Sequence, residues 1–231
     1  GNIVPPSEAL AAPAGYTLPI RQRLLERSIP MADKMVFVIL DGFADWEYAP
    51  LAAVFNNPED GTAKREVLYA STDKQLKTSI GGLKAQPDLT LEEIPGDAAG
   101  LILIGGTSWR TPEAEAVAPI AKRFLDNGKL LGPICDAARF LAAHALLNQH
   151  QHTGNFLDEL KNEPAYSNPE GFLKEEAARD RNLVTANGNA PYYFGREVLL
   201  ALGEDADDVQ RWYDFYNMGF HQAIAKYYPD N

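Results

Sequence analysis

The sequence predicts a doubly wound α/β domain, in which a mainly parallel sheet carries helices on both faces. Three observations support this fold class. Buried, β-branched runs recur along the chain, helical patterns separate them, and glycine or Asn-Gly signals mark many of the junctions. Strands that alternate with helices form mainly parallel sheets, and the ligand cleft of such a sheet lies beyond the carboxyl ends of its strands.

Five strands are predicted from short apolar runs, because a strand buried on both faces is apolar along its length. They are residues 35–40, 66–71, 100–104, 130–134 and 182–186. A hairpin is expected around Ile80-Gly81-Gly82, where alternating residues flank a glycine turn. Helices are predicted for residues 46–55, 112–127, 136–147, 191–202 and 207–227, and prolines or glycines mark several of their ends.

Residues 1–34 are predicted to be an N-terminal extension, and residues 35–231 a single domain, since no linker divides them. Prolines punctuate the extension, and only residues 20–28 have the pattern of a short amphipathic helix. We expect Ile20, Leu24 and Leu25 to dock on the core or on a second copy of the chain.

The composition excludes several classes of partner. A formal charge of −11 and a pI near 4.8 disfavour binding to nucleic acid and to anionic membrane surfaces. No apolar run reaches the roughly 18 residues that a membrane span needs. The one cysteine cannot form an internal disulfide, which is typical of a reducing compartment. We therefore expect a cytoplasmic protein whose partner is a small molecule.

The cysteine is the strongest chemical signal in the chain. Cys135 stands where the apolar run 130–134 meets the helical pattern that begins at Asp136, which is the layout of a nucleophile elbow. The amides and the dipole of a helix N-terminus favour negative charge, so the pattern predicts a thiolate with a lowered pKa. The alternative is a buried cysteine that acts only as a small hydrophobe.

Four loops should meet at the edge of the sheet where Cys135 lies. They follow predicted strands and comprise residues 41–46, 105–110, 135 and 187–190. The Gly105-Gly106 pair lets backbone amides approach a reacting atom, as an oxyanion hole requires, although such a pair is also a common turn. Glu47 is either a solvated first-turn carboxylate or, if it points into the cleft, a buried acid with a raised pKa that shares a proton with the thiol.

Candidate pocket residues lie in two of these loops. Trp109 and the neighbouring Ser108 are predicted to line a small cleft, with plain packing as the alternative for the tryptophan. Asn187 and Asn189 could donate hydrogen bonds to a polar substrate, or could serve only the backbone of the turn.

Taken together, these motifs resemble the ThiJ/PfpI group of the class I glutamine amidotransferase-like superfamily. The resemblance is carried by five segments, DGFADWE at 41–47, IGG at 104–106, ICDAARFLA at 134–142, LLNQHQHTGN at 146–155 and VTANGNAP at 184–191. It implies a flavodoxin-like sandwich, a reactive elbow cysteine and a homodimer. It also implies roles for four residues: Cys135 is the nucleophile, Glu47 is the buried carboxylate that hydrogen-bonds it, and the amides of Gly106 and Asp136 form the oxyanion hole.

The histidines depart from the pattern of the family's peptidases and true amidotransferases, which supply one directly after the cysteine or later in the sequence. Asp136 follows Cys135 here. His144 is nine positions along the elbow helix, an axial rise of about 13 Å, so it should not reach the thiol. His150 and His152 are expected at the surface, and with no nearby acid or second cysteine they make a poor metal pair. No metal and no cofactor are expected.

The sequence therefore favours a cysteine-dependent enzyme that attacks a small electrophilic carbon, as a hydrolase, a lyase or a glyoxalase-type enzyme. Cleavage of a peptide needs a group that protonates the amine leaving group, and no histidine is placed for this role, so we expect no peptidase activity. One alternative is a non-catalytic stress or redox-response protein whose Cys135 is oxidised. A binding scaffold with an inert buried cysteine is the other.

Overall fold

The computed structural model describes residues 33–58 and 62–230. Within them, the strands are β1 (Lys34–Val38), β2 (Glu66–Ser71), β3 (Lys77–Thr78), β4 (Lys84–Ala85), β5 (Leu89–Thr90), β6 (Gly100–Leu103), β7 (Leu130–Pro133), β8 (Ala177–Asp180) and β9 (Leu183–Ala186). The α-helices are α1 (Asp45–Asn56), α2 (Ala118–Asp126), α3 (Asp136–Ala143), α4 (Leu157–Lys161), α5 (Pro191–Ala201), α6 (Ala206–Asn217) and α7 (Phe220–Tyr227). The expected docking of Ile20, Leu24 and Leu25 falls outside the described residues.

Seven of the strands form one sheet, in the order β5-β2-β1-β6-β7-β9-β8. All neighbours in it are parallel except β8 and β9, which are antiparallel. β3 and β4 form a separate hairpin, as the glycine turn predicts. This is a flavodoxin-like, doubly wound sandwich, and the predicted fold class is confirmed.

Each face of the sheet buries its own apolar layer, because successive side chains of a strand point to opposite faces. In β1, Val36 and Val38 pack on the side that also holds Phe140, while Met35 and Phe37 pack on the side that holds Phe194. The run from 35 to 38 is fully buried on both sides, which explains why it is apolar without alternation.

Three predicted helices differ from the structure. The segment 112–127 was expected to be one helix, but it begins as a 3-10 helix over Pro112–Val117, and only Ala118–Asp126 is α-helical. The elbow helix was expected to reach residue 147, but α3 ends at Ala143, and Ala145 has a left-handed φ of 59°. The segment 207–227 was expected to be continuous, but Gly219, with a φ of 95°, separates α6 from α7. A positive φ cannot continue a right-handed helix, and glycine adopts it without steric cost.

Some elements gave no sequence signal. β5 is two residues long, and β8 is a short edge strand with an Arg-Asp pair in it. Polar edge strands lack the apolar run by which the central strands were found. In the described part of the chain, no helix is long and apolar enough to cross a membrane.

Candidate functional site

The turn predicted between β7 and α3 is present, and Cys135 is its central residue. Its backbone has φ 62° and ψ −129°, a conformation that an L-residue adopts at a cost of roughly 1–3 kcal/mol. The Cys135 amide donates to the carbonyl of Ala186 at 3.0 Å, which ties the turn to the end of β9. The strained backbone lifts the partly buried thiol towards the loops at the carboxyl edge of the sheet.

Glu47 points into this site from the first turn of α1 and is fully buried. One carboxyl oxygen, Oε2, accepts a hydrogen bond from the Gly105 amide at 2.7 Å. The other oxygen, Oε1, is buried without a hydrogen-bond partner among the described residues and lies beside the Cys135 sulfur, since a Cβ on Gly188 would stand 3.3 Å from Oε1 and 2.8 Å from Sγ. Of the two alternatives left open by the sequence, the structure therefore has the buried acid and not the solvated one.

The electrostatics of the pair differ from one of the sequence-based expectations. Burial raises the pKa of Glu47 to about 7, against the opposing effects of the neighbouring Cys135 thiol and of the hydrogen bond from Gly105. Burial and the neighbouring Glu47 charge raise the pKa of Cys135 to about 11, against hydrogen bonds from Asn155 and the Asp136 amide. The expected thiolate of lowered pKa is wrong for this structure, because desolvation and a like charge outweigh the helix N-terminus.

The proton arrangement follows from these two directions. Near neutrality Cys135 is a thiol and Glu47 is close to its own titration midpoint. Two groups that interact this strongly titrate as a pair, and the first proton leaves the pair near pH 7. The ionised carboxylate lies beside the thiol and can act as the acceptor of its proton.

The two amides expected to form an oxyanion hole lie in different loops of this edge. The Asp136 amide donates to the Cys135 sulfur. Gly106 has a φ of 151°, and a Cβ there would stand 2.3 Å from the Gly42 carbonyl oxygen, so only glycine fits. No protein acceptor takes the Gly106 amide in the part of the chain that the structure describes. Stabilisation of an oxyanion by these amides remains a prediction.

Sequence reasoning missed a residue that touches the sulfur. The side-chain Nδ2 of Asn155 donates to Cys135 Sγ at 3.3 Å, and its Oδ1 accepts from the Gly188 amide at 2.9 Å. Gly188 in turn accepts a 2.7 Å hydrogen bond from the Trp46 indole at its carbonyl. A Cβ on Gly188 would be 2.8 Å from Sγ, so a glycine is needed beside the sulfur. The only signal for Asn155 was its place at the end of the 146–155 motif.

Trp109 does not line the cleft, and its assignment as a pocket residue is wrong. The side chain is 2% exposed, packs on Phe140 with ring centroids 5.0 Å apart, and donates from its indole to the Ile104 carbonyl at 2.7 Å. Ser108 is half-buried, and its hydroxyl donates to the Asp41 carbonyl at 2.5 Å. Both residues therefore fix the loop that carries Gly106.

Among the two asparagines after β9, the side chain of Asn187 is bonded to neighbouring protein groups. Asn187 donates to a Glu176 carboxyl oxygen at 2.7 Å and accepts from the Asn189 amide at 2.9 Å. Asn187 also lines an open groove beside Asn155, whereas Asn189 is exposed. Donation by either amide to a substrate stays a prediction, and the amide that reaches the sulfur is that of Asn155.

His150 and His152 are buried, not exposed as expected. Their exposed fractions are 8% for His150 and 0% for His152. His152 donates from Nδ1 to the His150 carbonyl at 2.8 Å, and its Nε2 lies 2.7 Å from the Tyr166 hydroxyl. Within residues 33–58 and 62–230, neither ring contacts Cys135, and no group of three or more His, Cys, Asp or Glu residues could hold a metal ion.

The Asp136 carboxylate is committed to an ionic network beside the cleft. It accepts from Arg110 and Arg139, each at 2.9 Å. Arg139 is itself buried and also binds the Trp109 carbonyl and Glu163. The Asp136 carboxylate is therefore directed towards these arginines, whereas the Glu47 carboxyl lies beside the thiol.

Comparison with known proteins agrees with this fold. The model of the DJ-1/PfpI family matches residues 33–201. A Bacillus subtilis (strain 168) protein named uncharacterized protease YdeA is 35% identical over 195 residues, which are 84% of this chain and 96% of the relative. A DJ-1 superfamily crystal structure from Agrobacterium tumefaciens is 33% identical with a TM-score of 0.74, covering 80% of this chain and 98% of its own. A thiJ/pfpI family structure from Bacillus anthracis is 29% identical with a TM-score of 0.78, covering 84% and 94%.

Proposed function

The chain belongs to the DJ-1/PfpI family, and on that premise we propose that it is a cysteine-dependent enzyme that acts on a small electrophilic carbonyl compound, as a hydrolase, a lyase or a glyoxalase-type enzyme. The observation that carries the proposal is the placement of the buried Glu47 carboxyl beside the Cys135 sulfur, with both groups lining the backbone of Gly105 and Gly188. A nucleophile with a neighbouring base that is near its titration midpoint at neutral pH has the parts that covalent catalysis needs.

The first chemical step uses only these groups and the substrate. The Cys135 thiol proton passes to the ionised Glu47 carboxylate, and the sulfur electron pair forms a bond to the carbonyl carbon. The π pair of the C=O bond moves to oxygen, where the amides of Gly106 and Asp136 are proposed to hold the developing charge. Return of the proton from Glu47 to that oxygen gives, with an aldehyde, a neutral hemithioacetal on Cys135.

The surroundings of the sulfur support a small substrate. Cys135 is partly buried, and Glu47, Asn155 and the Gly188 backbone lie against it. A reactant must approach the sulfur past these groups, and the glycine is required to leave room at the sulfur itself. Dicarbonyls and small amides are therefore the first compounds to test.

The test is turnover of a panel of small dicarbonyls and small amides by the wild type and by Cys135→Ala. We expect consumption of at least one compound by the wild type and a loss of at least 100-fold in the variant, since the nucleophile is removed. Failure of the wild type on the whole panel, or activity that survives in Cys135→Ala, would contradict the proposal.

The Bacillus subtilis relatives are named as uncharacterized proteases, but we propose that this chain is not a peptidase. The polar groups that contact the sulfur are a carboxyl, an amide side chain and a backbone amide, while Asp136 is held by two arginines. None of these is a histidine that could protonate an amine leaving group. Hydrolysis of casein by the wild type at an appreciable rate, abolished in Cys135→Ala, would refute this. Asp136→His tests the same reasoning, because it places a histidine directly after Cys135.

A redox-response role is the second candidate, because the groups that donate to Sγ could also bind the oxygens of an oxidised cysteine. Oxidation follows thiolate character, and the raised pKa of Cys135 therefore favours the enzymatic proposal. Mass spectrometry after mild peroxide separates the two. Rapid, stoichiometric gain of two oxygens on Cys135, together with no turnover on the panel, would favour the redox role.

We further propose that the chain forms a homodimer, which its resemblance to the family implies. Between Trp46 and Asn56, α1 exposes Ala49 and Ala53 and no charged side chain. A helix face of this kind is typical of an interface between copies of a protein. Light scattering should give a dimer for the wild type and a monomer for Ala53→Arg. A monomeric wild type at micromolar concentration would contradict the proposal.

A further inference from the structure

Asn155 connects the nucleophile to the loop after β9. It lies just before α4, in a loop that is bonded to the sheet two residues earlier, where the Thr153 amide donates to the Thr185 hydroxyl of β9 at 2.8 Å. Its Nδ2 donates to Cys135 Sγ at 3.3 Å, and its Oδ1 accepts from the Gly188 amide at 2.9 Å. Both ends of one short amide are thus used, one on the reacting atom and one on the backbone.

We propose that Asn155 is a positioning residue that holds the Cys135 sulfur against Glu47 and stabilises the negative charge that develops on the sulfur as the thiol proton leaves. The kinetic part of this inference rests on the proposed function. The contact and its effect on the reactivity of the thiol do not depend on any substrate.

The orientation of the Asn155 amide is fixed by its partners. A backbone N–H can only donate, so the oxygen Oδ1 must face Gly188, and the NH₂ group must then face the sulfur. A flipped amide would place two donors together at Gly188 and an oxygen against the sulfur. A thiolate only accepts hydrogen bonds, so the observed orientation favours it over the flipped one.

Gly188 is itself anchored to the helix that carries Glu47. Its carbonyl accepts from the indole of Trp46, the residue next to Glu47, at 2.7 Å. A path of hydrogen bonds therefore runs from Trp46 through Gly188 and Asn155 to the sulfur. Because Trp46 directly precedes Glu47 in α1, this path ties the sulfur to the helix that carries the base.

An amide side chain also determines how the site titrates. Asn155 neither gains nor loses a proton in the accessible pH range, so it adds no titration to that of Glu47, the carboxyl that lies beside the thiol and whose charge acts on it. A histidine at position 155 would add a second titrating group with an ordinary pKa near 6.5. An aspartate there would keep the acceptor for Gly188 and place negative charge against the sulfur.

The experiment measures alkylation of Cys135 by iodoacetamide as a function of pH. Cys135 is the only cysteine in the chain, so the signal has a single source. The variants are Asn155→Ala, Asn155→Asp and Asn155→His. Asn148→Ala is the matched control, because Asn148 also makes one donated and one accepted hydrogen bond to backbone and has no contact with the sulfur.

We expect Asn155→Ala to be alkylated about tenfold more slowly than the wild type at pH 8, since a hydrogen bond to a charged group is lost. Asn155→Asp should be slower still, and it keeps the proposal testable if the alanine variant does not fold. Asn155→His should add a step near pH 6.5 to the profile. Asn148→Ala should follow the wild type. Wild-type rates in both Asn155→Ala and Asn155→Asp, or an equal loss in Asn148→Ala, would overturn the proposal.

Turnover of a dicarbonyl provides the second readout. Asn155→Ala should lower kcat about tenfold with little change in KM, because Asn155 is proposed to act on the sulfur and not on the ground-state substrate. A protein that is alkylated as expected but consumes no compound of the panel would retain the role of Asn155 and refute only the proposed function. A rise in KM alone, with kcat and the alkylation rate unchanged, would refute the positioning role.

Discussion

Replacement of Glu47 by glutamine should stabilise the domain at alkaline pH and have little pH-independent cost. Burial raises the pKa of Glu47 from 4.5 to about 7, so the folded state disfavours the ionised carboxylate. For a carboxyl whose folded pKa lies above its unfolded value, stability is fully present below about pH 4.5 and is lost as the pH rises to about 7. Glutamine has the same shape and does not titrate.

The magnitude follows from the shift. A difference of about 2.5 pKa units corresponds to about 3 kcal/mol once both states are ionised, at about 1.4 kcal/mol per unit. Near pH 5 the same linkage relation gives a loss of only about 1 kcal/mol. Glu47 is fully buried, so solvent screening does not reduce these values. In the variant, the amide oxygen can still accept the hydrogen bond from Gly105.

The assay is urea unfolding of the wild type and Glu47→Gln at pH 5 and pH 8. The difference in unfolding free energy between the two proteins should move in favour of the variant by about 2 kcal/mol from pH 5 to pH 8. His150 and His152 titrate in both proteins and cancel in this difference. Glu92→Gln, at an exposed carboxylate, is the matched control and should show almost no such change. A difference that is the same at both pH values, or that favours the wild type more at pH 8, would refute the reasoning.

Two further substitutions test the packing around the pair. Gly105→Ala would place a Cβ 2.5 Å from both Cys135 Cβ and Glu47 Oε2, so we expect a loss of about 1–3 kcal/mol in stability and of most activity. Gly96→Ala has open space and should be near neutral in both measurements, and an intact, active Gly105→Ala would contradict the geometry. Trp109→Phe should lose about 1–3 kcal/mol through its missing indole donor, while kcat/KM per folded molecule stays at the wild-type value. A selective loss of kcat/KM would instead return Trp109 to the cleft.

The parts of the site that could be predicted are those that the sheet itself positions. Gly106 and Cys135 each come within three residues of the end of a parallel strand, β6 and β7 respectively. The carboxyl ends of such strands lie at one edge of the sheet. Glu47 lies in the first turn of the helix that follows β1, so it reaches the same edge. The topology of the sheet is enough to bring Cys135, Gly106 and Glu47 together, and that topology can be predicted from the pattern of strands and helices.

Residues outside this scheme could not be placed from sequence. Asn155 arrives on a long irregular segment between α3 and α4, and its side chain is oriented by tertiary hydrogen bonds to Gly188 and Cys135. Trp109 follows a glycine turn that can direct an aromatic to the cleft or to the core. In the structure the side chain of Trp109 packs on Phe140 of α3, so its direction is determined by a contact with a different element.

The pKa of Cys135 shows the same limit in energetic terms. The sequence reveals a helix N-terminus, which lowers a thiol pKa, but it does not reveal how far the sulfur is desolvated or whether Glu47 touches it. Both of these effects raise the pKa, and in the structure they are larger. The direction of the shift was therefore decided by tertiary packing.

The most direct test of the Cys135–Glu47 pair is the pH dependence of kcat/KM for a small dicarbonyl. The account predicts that kcat/KM of the wild type rises with pH through about 7, as Glu47 loses its proton and becomes able to accept that of the thiol. Glu47→Gln should be at least 100-fold less active at pH 7.5 and should lack this step, and Cys135→Ala should be inactive at every pH. A wild-type profile that is flat between pH 5.5 and 8.5, or one that Glu47→Gln reproduces, would contradict the account.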